Sequence, residues 1–348
     1  MGERNTGRVL AAVMVLAAAP VGVAGASTLP GFGGLTIFGD SLSDPGNAAA
    51  LAAGLGLPFP PEFPLGKASD GALWSETVLQ SFVDAGLPAR NFAFAAGRIR
   101  APLDPTPGNL TFQIGVFDAQ TPLPVGADEA ALFWLGANDI RDALGAAAQG
   151  VAMGTLDDPE AFLEDAAEAA VAALITQAQG VAAAGFGSLV FVNLPDLSRI
   201  PATLAQGAAA QAAAQLATGA FNAALAREVS TLELAGVHST VFDLNAAFLR
   251  TLDAGLPGVS APVTDTCLDA ILGPSQTVPD IADLGQCASF FFYDDIHPTS
   301  ALHAALAAEI GAVVRPAAQP GVIPLPASGW LLLGGLAGLG VLARRRRG

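Results

Sequence analysis

Five short apolar runs punctuate the chain: "GLTIFG" at 34–39, "ARNFAFA" at 89–95, "ALFWLG" at 131–136, "SLVFVNL" at 188–194 and "STVFDL" at 239–244. None keeps the strict apolar–polar alternation of a half-exposed strand, so each fits a parallel strand covered on both faces. Helical stretches separate them: a short one from Trp74 to Ala85, two long alanine-rich ones at 158–184 and 202–234, and one from Thr299 to Val314. The segment "DDPEAFLEDAAEAA" puts Asp and Pro where a helix takes its cap and first turn, with acids close behind. Alternating strands and helices predict a three-layer α/β domain around a parallel sheet. The alanine-rich stretches lack sustained heptads and contain glycine, which favours helices packed over a sheet rather than a coiled coil.

Both ends follow other patterns. Arg4 and Arg8 precede an apolar stretch from Val9 to Val23, and Ala24-Gly25-Ala26 supplies the small residues a signal peptidase requires. Residues 1–26 therefore read as a signal peptide cleaved after Ala26. At the other end, residues 322–343 carry no charge and four arginines, Arg344 to Arg347, follow at once. About twenty apolar residues span a bilayer, and the arginine cluster would remain cytoplasmic, leaving everything before Val322 outside. This tail resembles the PEP-CTERM sorting signals of Gram-negative bacteria: Ile323-Pro324-Leu325-Pro326-Ala327 matches their V-P-L-P-A box apart from isoleucine for valine. The resemblance implies an exosortase-type processing partner and display at the outer surface or release, with the membrane anchor transient or permanent. The expected organisation is a signal peptide (1–26), one domain (27–316), a linker with the sorting box (317–327) and the anchor (328–348).

With residues 1–26 and 328–348 set aside, 9 basic residues face 30 acidic ones, a net charge near −21. Such a surface repels nucleic acid and anionic membrane, and Lys67 is the only lysine. Cys267 and Cys287, an even pair in a chain read as exported, predict one disulfide. Two cysteines without a CxxC spacing and only three histidines argue against a metal site. Pro-rich loops at 58–66 and 101–109 follow the first two strand regions and are candidates for stiff walls of a cleft beyond the strand ends, or simply rigid connections.

The polar residues after the strands suggest chemistry. Ser41 follows the first run; Gly136, Asn138 and Asp139 follow the third; "YDDIHPTSALH" brings Asp294 and His297 together just before the last helix. A serine hydroxyl becomes a nucleophile when a base takes its proton, histidine suits that task, and a carboxylate on its other nitrogen holds the tautomer. Ser43, Asp44 and Asn47 fit capping of the turn that presents Ser41. His238 reads as surface or structural, and His303 as a structural neighbour of the site.

These residues resemble the four blocks of the GDSL esterases and lipases, or SGNH hydrolases: Gly39-Asp40-Ser41-Leu42, Asn91 with Gly97, Gly136-Ala137-Asn138-Asp139, and Asp294-Asp295-Ile296-His297-Pro298-Thr299. The resemblance implies an α/β/α sandwich, flavodoxin-like, on a five-stranded parallel sheet, and a cofactor-free hydrolase of acyl esters. Ser41 would be nucleophile, His297 the base and Asp294 its orienting partner. The Ser41 amide, an amide near Gly97 and the Asn138 side chain would form the oxyanion hole. The second block departs from the family pattern: "NFAFAAGR" has Ala95 and Ala96 where glycines would stand and Gly97 one place late. The donor is assigned to Gly97, with Ala96 the other candidate. G-x-S-x-G is absent around Ser41, which argues against the α/β-hydrolase fold. The ester is a lipid or an acetylated glycan; Phe290-Phe291-Phe292 points to an apolar acyl chain unless it is plain core. A non-catalytic matrix protein of the same fold is the alternative, against which the complete set of candidate residues speaks.

Overall fold

The computed structural model describes residues 31–99, 107–234, 238–273, 279 and 281–318. The expected signal peptide, the sorting box at 323–327 and the apolar tail with Arg344 to Arg347 lie outside the described residues. In chain order the elements are β1 (Gly34–Gly39), α1 (Asn47–Gly54), α2 (Trp74–Asp84), β2 (Ala89–Asn91), α3 (Leu110–Gln120), β3 (Glu129–Trp134), α4 (Ala137–Met153), α5 (Pro159–Ala182) and β4 (Ser188–Val192). There follow α6 (Pro201–Leu204), α7 (Ala208–Leu234), β5 (Ser239–Phe242), α8 (Leu244–Ala254), α9 (Cys267–Leu272) and α10 (Ser300–Val313).

The five strands form one parallel sheet in the order β2-β1-β3-β4-β5. On one face α2 packs on β1 and β2, and α10 packs on α2 and α8; on the other, α3 lies against β1, α5 against β3 and β4, and α7 against β5. This double cover explains the unalternating runs, because all six positions of β1 and of β3 are buried. Register aligns Phe38, Phe133 and Phe191 across three strands. Their rings stack with centroids 5.1 and 5.5 Å apart, and Phe117 of α3 meets Phe38 edge-on.

The chain leaves β1 for β2 on one side and then passes back to β3 on the other. In open parallel sheets ligands bind beyond the strand ends at such a reversal. Residues 40–44 and 136–139 are what this chain places there.

Several boundaries differ from the sequence expectation for local reasons. The second strand ends at Asn91 rather than 95, although the Phe92 and Phe94 amides still donate to Ile37 and Gly39. The third starts two residues earlier and stops at Trp134. Gly136 then turns with φ of 123°, and a Cβ there would lie 2.6 Å from the Phe221 ring. The helix expected over 202–234 is broken at Gly207 (φ 87°) into α6 and α7. The fifth strand stops at Phe242 because Asp243 turns to cap α8, accepting from the Ala246 amide. Asp158 caps α5 as expected.

Cys267 and Cys287 form the expected disulfide. The Cys267 and Leu268 amides donate to the Phe292 and Tyr293 carbonyls, strapping α9 to the strip just before Asp294. Closing a loop of 20 residues removes denatured-state entropy on the order of 3 kcal/mol.

Candidate active site

The turn after β1 is built to expose one side chain. The Asp40 carbonyl accepts from the Ser43 and Asp44 amides, both at 3.0 Å, and its Oδ1 accepts from the Leu42 amide at 3.0 Å. Buried Gln113 clasps Gly39 through both backbone groups, fixing the strand exit. Gly39 itself is required by close approach, since a Cβ there would lie 2.7 Å from that of Ser43. The Asp44 carboxylate accepts from the Gly46, Asn47 and Ala48 amides where α1 begins, and from the Ala95 amide. Asn47 ties α1 to the Asn91 and Ala93 carbonyls, and Asn91 in turn donates to the Ser43 carbonyl. The expectation that Ser43 caps the turn is corrected: its hydroxyl is buried without a partner, and Asp44 does the capping.

Ser41 Oγ lies 2.9 Å from His297 Nε2, and His297 Nδ1 lies 2.7 Å from Asp294 Oδ2. The other Asp294 oxygen accepts from the Ile296 and His297 amides, so three hydrogen bonds hold one carboxylate in a tight loop. Burial resists ionisation of Asp294, but the His297 charge and these bonds prevail and hold its pKa below the ordinary carboxylate value. Phe63, from the Pro-rich loop at 58–66, meets the His297 ring edge-on at 5.7 Å, so that loop does wall the site. Of the loop at 101–109, residues 101–106 lie outside the described residues.

The expected donors near Ser41 differ in what already engages them. The Ser41 and Ala96 amides make no hydrogen bond among the described residues, whereas Gly97 N–H donates to the Phe94 carbonyl at 2.9 Å. The Gly97 amide, expected as an oxyanion donor, is thus engaged in a turn, whereas that of Ala96, the other candidate, is not. Ala96 has φ of 62°, a left-handed conformation that costs an alanine about 1–2 kcal/mol. Gly97 serves differently, for its carbonyl accepts one N–H of Asn138 Nδ2 at 3.0 Å and so orients the side-chain amide. The second N–H of Asn138 stays available at the cavity that Ser41 and His297 also line.

His303 is fully buried, its Nδ1 3.5 Å from the Trp74 amide, and burial, aided by the charges of His297 and Lys67, pushes its pKa down to about 3. It is a neutral core residue. His238 is exposed, and only its carbonyl engages the sheet, through the Leu189 amide.

Asp40 is the costly group. Burial pushes its pKa up to about 6 against the pull of the Leu42 amide and the His297 charge, with Asp139 adding to the push, and its Oδ2 has no partner. The unfolded carboxyl titrates near 3.8, so the native state holds the extra proton between about 4 and 6 and stability declines as pH rises through that window. Asp40→Asn is expected to stabilise the fold above pH 6 by about 3 kcal/mol at most, the gain vanishing toward pH 4. Thermal melts at pH 4 and 8 check this.

Two cavities meet at Asn138. A narrow one of about 40 Å³ lies against Ser41 and His297 and is also lined by Leu244, Phe248, Phe292 and Leu306. An open groove of about 820 Å³ runs along α4, α6 and α7, with Arg98, Arg141, Asp142 and Asp295 among its lining. Among the described residues no group of three or more His, Cys, Asp or Glu side chains is arranged to hold a metal ion.

Residues 35–310 match the family model of the GDSL-like lipase/acylhydrolases. The chain belongs to that family. Among solved structures, this GDSL-family chain is similar to a catalytic mutant of an acetylxylan esterase from Geobacillus stearothermophilus, at 13% identity over 82% of this chain and 96% of that one, TM-score 0.39. It is also similar to phospholipase A1 from Streptomyces albidoflavus NA297 (16% identity, 81% and 100% covered, TM-score 0.41). A third is an extracellular lipase from Streptomyces rimosus (14%, 79% and 99%, 0.39). No curated protein matches the chain.

The GDSL turn, Asn138 and His297 line one cavity, and Asp294 reaches it through the His297 ring. Sequence reasoning held Ala96 as the alternative to Gly97, on the alanine at a family glycine, and missed the clasp by Gln113 and the cavity walls contributed by residues 195–200 and 244–248.

Proposed function

We propose that the protein is an exported serine ester hydrolase acting through an acyl-Ser41 intermediate. The observation that carries this is the unbroken relay from Ser41 Oγ to His297 to Asp294, at 2.9 and 2.7 Å, beside three unengaged N–H donors. His297 Nε2 takes the Ser41 proton as Oγ attacks the ester carbonyl carbon. The oxyanion faces the Ser41 and Ala96 amides and Asn138. The C–O bond to the alcohol then breaks, and the departing oxygen receives the proton from His297. Water, deprotonated by the same ring, attacks the acyl-enzyme and releases the acid and free Ser41.

Export is supported by the pattern of residues 1–26 and by the disulfide, which belongs to oxidising compartments. We place the mature domain at 27–316, with the tail box as an exosortase-type processing site.

Wild-type protein is expected to release p-nitrophenolate from p-nitrophenyl acetate, and no turnover of this or longer esters would overturn the proposal. Asn138→Ala is expected to lower kcat by about 10²–10³ with KM little changed, because its amide meets charge that develops only in the transition state. Steady-state kinetics of the variant checks the split.

A further inference from the structure

We infer that the ester hydrolysed at Ser41 carries a short acyl group, of two to four carbons, on a large polar alcohol. This rests on the Ser41 ester-hydrolase reading and adds the substrate class. With the acyl carbon bonded to Ser41, the cavity among the described residues that Ser41 and His297 both line is the narrow one. That cavity touches Ser41, Leu42, Ala137 and His297, and at about 40 Å³ it is short. A cavity of this size holds a few water-sized groups, which suits a short acyl chain. Part of its lining is core: Leu244, Phe248, Phe292 and Leu306 are all buried, and Phe248 and Phe292 pack edge to face. A longer chain would have to displace packed side chains, which close-packed interiors resist.

The groove has the opposite character. It is about twenty times larger, open along α7, and neither Ser41 nor His297 lines it, so it receives atoms remote from the reacting bond. Its small lining residues, such as Ala147, Ala209 and Ala213, give room, while Arg98, Arg141, Asp142, Thr203, Gln206 and Asp295 supply donors and acceptors. Arg141 is exposed, makes no ion pair among the described residues, and lines both cavities. A hydroxyl-rich alcohol matches such a lining; an alkyl chain would strip water from charges without repaying them.

The test is kcat/KM on p-nitrophenyl acetate, butyrate, octanoate and decanoate, with glucose pentaacetate as the polar-alcohol probe. Acetate and butyrate are expected to lead, with octanoate lower by on the order of tenfold or more. Phe248→Ala is expected to move the optimum to longer chains, and Ile296→Ala, at a partly exposed wall position, to do so more mildly if the first variant folds poorly. Ala209→Trp, at an exposed position of the groove, is expected to raise KM for glucose pentaacetate on the order of tenfold and KM for p-nitrophenyl acetate, with its smaller alcohol, by less. Octanoate or decanoate leading in the wild type, or Ala209→Trp leaving glucose pentaacetate untouched, would overturn the inference. Absence of hydrolysis of every ester would overturn the ester-hydrolase reading instead.

Discussion

Ser41→Ala is expected to lower kcat on p-nitrophenyl acetate by about 10⁶, the loss typical when a serine hydrolase loses its nucleophile or base. Among the described residues the Ser41 hydroxyl makes one hydrogen bond, at 2.9 Å to His297 Nε2, so its removal is expected to end covalent catalysis without disturbing the turn. That turn is held by Asp40, Asp44 and Gln113, none of which uses the Ser41 side chain. Residual turnover from oxyanion stabilisation and binding would persist at about 10³–10⁴ over water. Melting should change by no more than about 0.5 kcal/mol, as for other substitutions away from structural features. Stopped-time assays with concentrated variant protein check the rate, and thermal melts check the fold.

Asp294→Asn is expected to cost about 10⁴ in kcat, with KM nearly unchanged. Asparagine keeps the shape and retains an oxygen for the Ile296 and His297 amides. Its amide group then faces His297 Nδ1 and donates to it, so the ring proton moves to Nε2. A protonated Nε2 cannot accept the Ser41 proton. The carboxylate also stabilises the imidazolium formed during attack, and the pKa of Asp294, held down by that charge and by its three hydrogen bonds, keeps it ionised throughout the neutral range. Steady-state kinetics of Asp294→Asn measures both parameters, and a loss below tenfold would mean the carboxylate does not set the tautomer.

The cost borne by the nucleophile turn fits this picture. Asp40 is buried with an unpartnered oxygen, and Ala96 holds a conformation alanine resists. Both sit where positioning of Ser41 and of an oxyanion donor matters most, and strain of this kind persists where surrounding structure enforces it. The Asn47–Asn91–Ser43 hydrogen bonds supply that enforcement by joining α1, β2 and the turn.

How far the sequence carried the structure depended on distance along the chain. The five apolar runs became the five strands because full burial imposes the same local demand on every position of β1 and β3. The Asp294/His297 pair was legible because three residues of sequence hold the whole carboxylate–imidazole contact. The helices α1, α3, α4, α8 and α9 went unseen. The opening of α4 doubles as the Gly136-Ala137-Asn138-Asp139 block, and α1 and α8 start directly after turns whose polar residues were read as chemistry or strand end. Ala96 against Gly97 turned on a single hydrogen bond from the Gly97 amide to Phe94, which depends on the exact path of a loop. The narrow cavity was beyond reach for a related reason: its walls come from segments near 40, 137, 197, 246, 296 and 306, and only the sheet order brings them together. The Phe290-Phe291-Phe292 run divided accordingly, with Phe292 lining the cavity, Phe291 in the main core, and Phe290 packed near the disulfide.

The central claim is that Ser41 is the nucleophile, and covalent trapping tests it most directly. Wild-type protein treated with diisopropyl fluorophosphate should gain the mass of one diisopropylphosphoryl group, located by peptide mapping at Ser41, with hydrolysis lost in proportion. Ser41→Ala should gain none. Labelling at another residue, or ester hydrolysis that survives full labelling of Ser41, would contradict the account.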